Sequence, residues 1–522
     1  MPGARADAPA AGPAATPAAA TTETNKPAET RFDVHEYRVL GNTVLNERQI
    51  ETVLYPLLGD QKTLADVEVA RAALEKSYHD RGFATVFVDI PEQDVSDRVV
   101  RLKVTEGRLH EVRISGARYY SERKILAAVP EARPGNVPNV PVLQQQLSAV
   151  NVQSADRNIV PVLKAGPEPG TVDLSLKVDD HLPVHGSLQI DNQYTPDTEP
   201  LRLTASVGYG NLFQDLDSFS AQYQVSPQDA SQVEVGALNY AWGPTLFGFH
   251  PSLYFVYSDS NVPTVGTLGV LGKGQVVGSH FTYFLDHSPA APQTITLGID
   301  YKHFLQTVSL AGSSGLSTPI SYTNLSIAYS GTWPSDVLTG TFASTANFGP
   351  RGLPNNPETF ANKRFEAEPN YFYVKLDGAL IAHLPAGLQL MLRADGQYAV
   401  EPLIINEEFS ITGADGVRGY LEAEALADRG LKESVQLQSP MARVHSWALG
   451  DVFAFFDAGH ADVIDPLTGQ QPFYTLRSAG AGLSLFPSYA VNGSITWARA
   501  LSDGPFTHRG ESRILFLVRG AF

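Results

Sequence analysis

The chain has 522 residues, a formal net charge of -17 with no long basic run, and no cysteine. That combination excludes an electrostatic grip on nucleic acid, and it excludes thiolate metal sites, disulfide frameworks and cysteine nucleophiles together. No stretch reaches the roughly 18 to 20 uncharged apolar residues that a membrane-spanning helix requires, so a helical membrane protein is excluded, whereas a membrane barrel hides its apolar residues by alternation.

Residues 1–31 read as a flexible leader, rich in Ala, Pro and Thr, with Pro9, Pro13, Pro17 and Pro27 too closely spaced for a helix. The charged start and apolar run of a secretory signal are missing, although Ala4-Arg5-Ala6 resembles the end of a cleavage site.

A repeat follows. His35-Glu36-Tyr37-Arg38-Val39-Leu40-Gly41, with Asn46-Glu47-Arg48-Gln49-Ile50 behind it, returns 75 residues later as His110-Glu111-Val112-Arg113-Ile114-Ser115-Gly116 and Ser121-Glu122-Arg123-Lys124-Ile125. The unit endings agree within one residue, Leu102-Lys103-Val104 matching Leu176-Lys177-Val178. Two copies of one small domain are expected, over 32–107 and 108–182, each reading β-α-α-β-β. In the first copy, Phe32 to Leu40 is a predicted strand ending at Gly41. Asn46 with Gln49 forms a capping box for a helix with the apolar stripe Ile50, Val53 and Leu54, ended by Pro56. Thr63 and Asp66 open a second helix that buries Val67, Ala70, Leu74 and Tyr78 and stops at Gly82. Ala84 to Ile90 and Val99 to Glu106 complete the copy as strands, with Val100, Leu102 and Val104 on one face. This pattern resembles the polypeptide-transport-associated (POTRA) domain of outer-membrane transporters, which implies an exposed strand edge able to add an incoming extended segment.

After Pro183 the texture changes to long alternating segments. Val184 to Asp191 is one; in another, Phe219, Ala221, Tyr223 and Val225 alternate with Ser218, Ser220, Gln222 and Gln224. Thr294 to Gln306, Leu388 to Val400, Ala481 to Pro487 and Ser512 to Phe522 continue the theme. Turn-bounded segments over 183–522 number about 16, longer than the strands of a soluble sandwich, so the expected fold is a 16-stranded transmembrane β-barrel. Trp242 and Trp333 fall at strand ends, where interfacial aromatics belong. In the last segment Ile514, Phe516, Val518, Gly520 and the terminal Phe522 share one face, which looks like the signal read by the barrel-assembly machinery.

Two motifs lie in the last quarter. Gly413-Ala414-Asp415-Gly416-Val417-Arg418-Gly419-Tyr420 contains Val-Arg-Gly-Tyr, and about forty residues on comes Phe455-Phe456-Asp457-Ala458-Gly459. Order, spacing and the upstream repeats resemble the superfamily of outer-membrane assembly factors. With two repeats, the chain resembles its two-partner secretion branch, the haemolysin secretion/activation (ShlB/FhaC/HecB) family. The resemblance implies a Gram-negative outer-membrane location with the repeats in the periplasm. It implies export of an unfolded adhesin- or haemolysin-type exoprotein, recognised by the POTRA domains and passed through the barrel without a nucleotide. A barrel-assembly insertase and a passive diffusion channel are the competing readings. The sixth extracellular loop, carrying Val417, Arg418, Gly419 and Tyr420, is expected to fold into the lumen so that Arg418 meets Asp457 in a two-pronged pair beside Phe455 and Gly459. Gly416 and Gly419 permit the tight tip, and Tyr420 is expected to pack its ring while its hydroxyl stays wet. Family members often carry an N-terminal plug helix; residues 1–31 hold no helix pattern, so no plug residue is assigned.

Catalytic patterns are missing: there is no His-Glu-x-x-His and no Gly-x-Ser-x-Gly. Gly266 to Gly274 suggests a phosphate loop but fails on spacing and lacks the Ser or Thr after Lys273. No enzyme activity, cofactor or metal is expected. The expected partners are the passenger, outer-membrane lipid and the barrel-assembly machinery, with a monomer implied by a self-closed barrel.

Overall fold

The computed structural model describes residues 30–196, 198–243, 245, 247–259, 272–286, 291–305, 307–308, 316–446 and 448–522; almost all of the leader and most of Gly266 to Gly274 lie outside them. Among the described residues, one compact unit holds those up to Arg113 with Val129–Gln146 and Pro161–Leu176. The other holds Ile114–Ala128, Leu147–Val160 and Lys177–Phe522.

The first repeat forms from strong local signals. Asn46 and Gln49 close a capping box on the helix Glu47–Leu54, and Thr63 and Asp66 close another on Leu64–Asp80. Each such N-cap contributes about 1 kcal/mol. Pro56 converts the end of the first helix into the 3-10 turn Tyr55–Leu57, and Gly82 (φ +94°) ends the second. Val67, Ala70, Leu74 and Tyr78 pack on Val100, Leu102 and Val104, all buried. Val99–Glu106 is the central strand, parallel to Glu36–Leu40 and antiparallel to Val86–Asp89.

The expected single strand from Phe32 to Leu40 is two. Phe32–Val34 pairs with Gly59–Lys62, a strand that periodicity did not show, and the chain changes partner at His35, whose backbone N–H bonds Arg98 O. The second repeat supplies Arg108–Ser115, the helices Glu122–Ala128 and Val140–Val152, and the strands Arg157–Ala165 and Thr171–Asp180.

The repeat extends to turn chemistry. Gly41 (φ +88°) and Gly116 (φ +93°) each lie where a Cβ would strike a carbonyl of the last strand, Val104 O at 2.5 Å and Val178 O at 2.2 Å. The carboxylates ending those strands cap the loop just after each glycine. Glu106 accepts from Thr43 N (2.5 Å) and Val44 N (2.9 Å), and Asp180 from Arg118 N (2.9 Å) and Tyr119 N (2.8 Å).

The barrel closes on sixteen antiparallel strands. They are β1 Val184–Asp191, β2 Arg202–Leu212, β3 Asp217–Val225, β4 Glu234–Ala241, β5 Phe249–Ser258, β6 Gly274–Asp286, β7 Gln293–Phe304 and β8 Ile320–Trp333. There follow β9 Leu338–Phe348, β10 Phe372–His383, β11 Gln389–Ala399, β12 Arg429–Gln438, β13 Ala448–Asp462, β14 Phe473–Ser488, β15 Val491–Ala500 and β16 Ser512–Ala521. The short piece Ala442–His445 folds back on β13 inside the turn after β12. β16 pairs with β1 from Leu517↔Asp191 to Ala521↔Ser187. Above that, the Asn192 carboxamide continues the ladder, donating to Ile514 O (2.7 Å) and accepting from Phe516 N (2.8 Å).

Alternation sets the two faces. On β5, Leu253, Phe255 and Tyr257 are exposed outward, whereas Tyr254 and Val256 are buried on the inner face. Trp242 and Trp333 stand exposed at the end of the barrel where β1 begins. Long loops join the strands at the opposite end: the fifth is 349–371, the sixth 400–428, the seventh 463–472 and the eighth 501–511.

Candidate functional site

Strand alternation on β13 points Phe453, Phe455, Asp457 and Gly459 inward and leaves Phe456 exposed outward. The sixth loop turns back against this inner face. Val417 N donates to Ile411 O (2.8 Å), and Gly413 (φ +109°) and Gly419 (φ +101°) adopt backbone that side chains rarely take. Gly459 clears the wall for the loop: a Cβ there would sit 2.9 Å from Val417 Cγ2.

Arg418 then meets Asp457 as expected. Its Nε reaches Oδ2 and its Nη2 reaches Oδ1, both at 2.8 Å, and its backbone N–H adds a third bond to Oδ2 at 3.1 Å. Asp457 is fully buried, and Ser434 Oγ donates to its Oδ1 at 2.7 Å. Two further guanidinium hydrogens go to Gln436 Oε1 (2.9 Å) and Ser434 Oγ (3.0 Å). The guanidinium carbon lies 3.4 Å from the Phe455 ring centre, a cation–π stack, and that ring lies over Gly480, where a Cβ would approach to 2.5 Å. Charge, hydrogen bonds and packing are thus all satisfied, the condition under which a buried ion pair is held.

Tyr420 departs from expectation. Its hydroxyl is not wet: the residue is buried and its OH lies within hydrogen-bond distance of Arg477 O (3.0 Å) and Ser502 O (2.8 Å). A buried phenol needs such a partner, and carbonyls near the outer ends of β14 and β15 provide it. Glu424, which sequence reasoning missed, extends the attachment to the eighth loop, accepting from Phe506 N (2.8 Å), Thr507 N (2.6 Å) and Thr507 Oγ1 (2.7 Å). Ser434 and Gln436 were also missed; their only signal is inward parity on β12, which becomes informative once Asp457 is placed.

Phe522 sits apart from this cluster, at the other end of the barrel. It exchanges backbone bonds with Gly186 (3.0 and 3.1 Å), and its exposed ring covers the place where Gly186 would carry a Cβ. Among the described residues, one grouping has cation-binding geometry, Asp33, His35 and Asp60 in the first repeat; His35 and Asp60 are exposed and already paired at 3.2 Å.

A barrel with an in-folded, wall-fastened sixth loop, preceded by β-α-α-β-β repeats, defines an outer-membrane transporter of the POTRA-plus-barrel class. The ShlB-type POTRA domain matches residues 32–107, and "Haemolysin secretion/activation protein ShlB/FhaC/HecB" matches residues 170–485. The chain belongs to that haemolysin secretion/activation family. It is 25% identical to the outer membrane transporter CdiB of Dickeya dadantii strain 3937 over 416 residues, 76% of this chain and 71% of that one. It is 24% identical to CdiB of Escherichia coli over 483 residues, 89% of this chain and 78% of that one. The solved CdiB from Escherichia coli superposes with a TM-score of 0.61 at 20% identity, covering 97% of this chain and 93% of that one. BamA from Haemophilus ducreyi lacking POTRA domains 1–3 superposes at 0.57 and 12% identity over 94% of this chain and all of that one, a likeness of fold alone. The protein is therefore an outer-membrane transporter of the two-partner secretion type, with its repeats in the periplasm. The barrel end where β1 begins faces the periplasm, and the long loops face outward.

Proposed function

We propose that this transporter takes an unfolded exoprotein of the adhesin or haemolysin type from the periplasm through its POTRA repeats and passes it outward through the barrel. The observation that carries the reading is the Arg418–Asp457 clasp, which fastens the sixth loop against the inner wall of the barrel through the two motifs that mark this family. The edge strand Glu36–Leu40 supports the receptor role: among the described residues it pairs on one side only, with Val99–Glu106, and offers its other side to an extended segment. The closed barrel needs no second copy, so the working unit is a monomer. Its outward apolar face fits outer-membrane lipid, and the last strand, with Ile514, Phe516 and Val518 on one face, is the part that the barrel-assembly machinery would read.

The test is secretion of a candidate partner exoprotein, sought among the neighbouring genes, in cells carrying the full chain or one lacking residues 32–180. Loss of export with the truncated barrel still inserted supports the receptor reading. Unchanged export makes the repeats spacers, and broad loss of other outer-membrane proteins on deletion of the whole gene favours an assembly role instead.

A further inference from the structure

The fifth loop is built into the barrel as firmly as the sixth, and no family motif accounts for it. Its seven-residue helix Pro357–Lys363 is capped by Asn356, whose side chain accepts from Glu358 N at 2.9 Å. Phe360 from that helix is buried between Tyr322 of β8 (ring centres 5.5 Å apart) and Tyr371 (6.0 Å). Parity places the wall residues on the inner face: Tyr373 is buried while Phe372 is exposed, and Lys302 follows the exposed, outward Tyr301. The packing continues over Val256, Val276, Phe304 and Ala399 and takes in Leu403 and Ile404 from the start of the sixth loop. Below it, Glu407 accepts from Lys302 Nζ (2.6 Å), Tyr373 OH (2.6 Å) and Tyr322 OH. The outer half of the lumen from β5 to β11 is thus lined by side chains packed against loop residues.

One side chain ties this packing together. Arg364, just past the helix, holds the fully buried Asp428 with two bonds of 2.6 Å, Glu408 at 2.6 Å, Leu403 O at 2.7 Å and Ile464 O at 2.9 Å. Asp428 also accepts from Leu403 N and Ile464 N, both at 2.7 Å. These partners belong to the two ends of the sixth loop and to the seventh. Removing the guanidinium leaves the buried Asp428 and the partly buried Glu408 with no cation between them, which weakens the hold between the loops.

We propose that Arg364 is a second positioning residue for the sixth loop, fixing its base as Arg418 fixes its tip. Together with Phe360 it seats the fifth loop in the lumen as a stopper that must leave before a polypeptide can pass. The stopper's purpose rests on the translocation reading, but its seating does not. Arg364 concentrates the closure of three loops in one cation, so the stopper releases as a unit.

The experiment measures ion conductance of the purified full chain in planar bilayers for Arg364→Ala, Arg364→Lys and Phe360→Ala, with Arg351→Ala, elsewhere in the same loop, as control. Heat-modifiable migration reports the folded barrel. Folded Arg364→Ala and Phe360→Ala should conduct severalfold more than the parent, Arg364→Lys should fall between, and Arg351→Ala should match the parent. Parental conductance in folded Arg364→Ala or folded Phe360→Ala overturns the proposal; if Arg364→Ala does not fold, Phe360→Ala decides it alone. Conductance is read without any passenger, so failure there sinks the stopper, whereas failure of the parent chain to export any partner sinks the translocation reading.

Discussion

Replacing Arg418 with alanine removes both prongs on Asp457, the bonds to Ser434 and Gln436 and the stack on Phe455. Breaking a buried pair by deleting one partner costs about 3–5 kcal/mol, because the other charge is left uncompensated. Here Asp457 keeps Ser434 Oγ at 2.7 Å and the residue 418 backbone N–H at 3.1 Å, so the lower end, about 3 kcal/mol, applies. That shifts the ratio of docked to undocked sixth loop roughly a hundredfold. The barrel ladder does not depend on the pair, since β12, β13 and β14 are continuously paired through this level. Export should therefore fall sharply while heat-modifiable barrel in the outer membrane stays near the parental amount. Arg418→Lys should recover only part of the activity, because an ammonium cannot reproduce the fork. Adding Asp457→Asn to Arg418→Ala should cost less than the two losses summed, since the stranded carboxylate is then neutral. Parental export by Arg418→Ala at normal abundance refutes the reasoning.

Tyr420→Phe should weaken the same docking by about 1 kcal/mol, the worth of one buried hydrogen bond, seen as faster protease cleavage in the sixth loop of intact cells. Gly116→Ala forces a Cβ to 2.2 Å from Val178 O at φ +93°; it should destabilise the second repeat by about 1–3 kcal/mol, read as protease sensitivity of the periplasmic region with an intact barrel. Thr63→Ala removes an N-cap and should cost the first repeat about 1 kcal/mol in urea unfolding of the full chain. The Thr63 backbone N–H and hydroxyl hold the Asp66 carboxyl below its ordinary range. Its folded value is depressed, so this stabilisation is complete above the unfolded carboxyl value and is lost as pH falls through the folded one. Asp66→Asn should accordingly shrink the acid-side loss of first-repeat stability; an unchanged acid limb refutes that assignment.

Legibility in the sequence followed the range of the interactions. Capping boxes act over three residues and helix stripes over one turn, so both helices of the first repeat were predicted with their buried faces. Alternation is equally local, and β1 and β16 stand within a residue of their expected limits. The strand Gly59–Lys62 was invisible because its four residues, Gly-Asp-Gln-Lys, carry no apolar alternation; only its partner Phe32–Val34 makes it a strand.

The candidate site divides along the same line. Arg418 and Asp457 were legible because each lies in a short motif that resembles a family signature, whereas Arg364 and Asp428 sit in loops with no such motif and no periodicity and meet across 64 residues. Tyr420 shows how a correct residue can carry the wrong environment: its ring position follows from the loop, but its hydroxyl partners, Arg477 O and Ser502 O, come from two other segments of the barrel end. The sixth loop is therefore held at its tip by a short local motif and at its base by Arg364 and Asp428, which meet only when the fifth, sixth and seventh loops come together. A loop fastened at both places keeps one attachment when the other is cut, so the cost of opening is shared between the tip clasp and the base contacts and is not carried by the strand ladder.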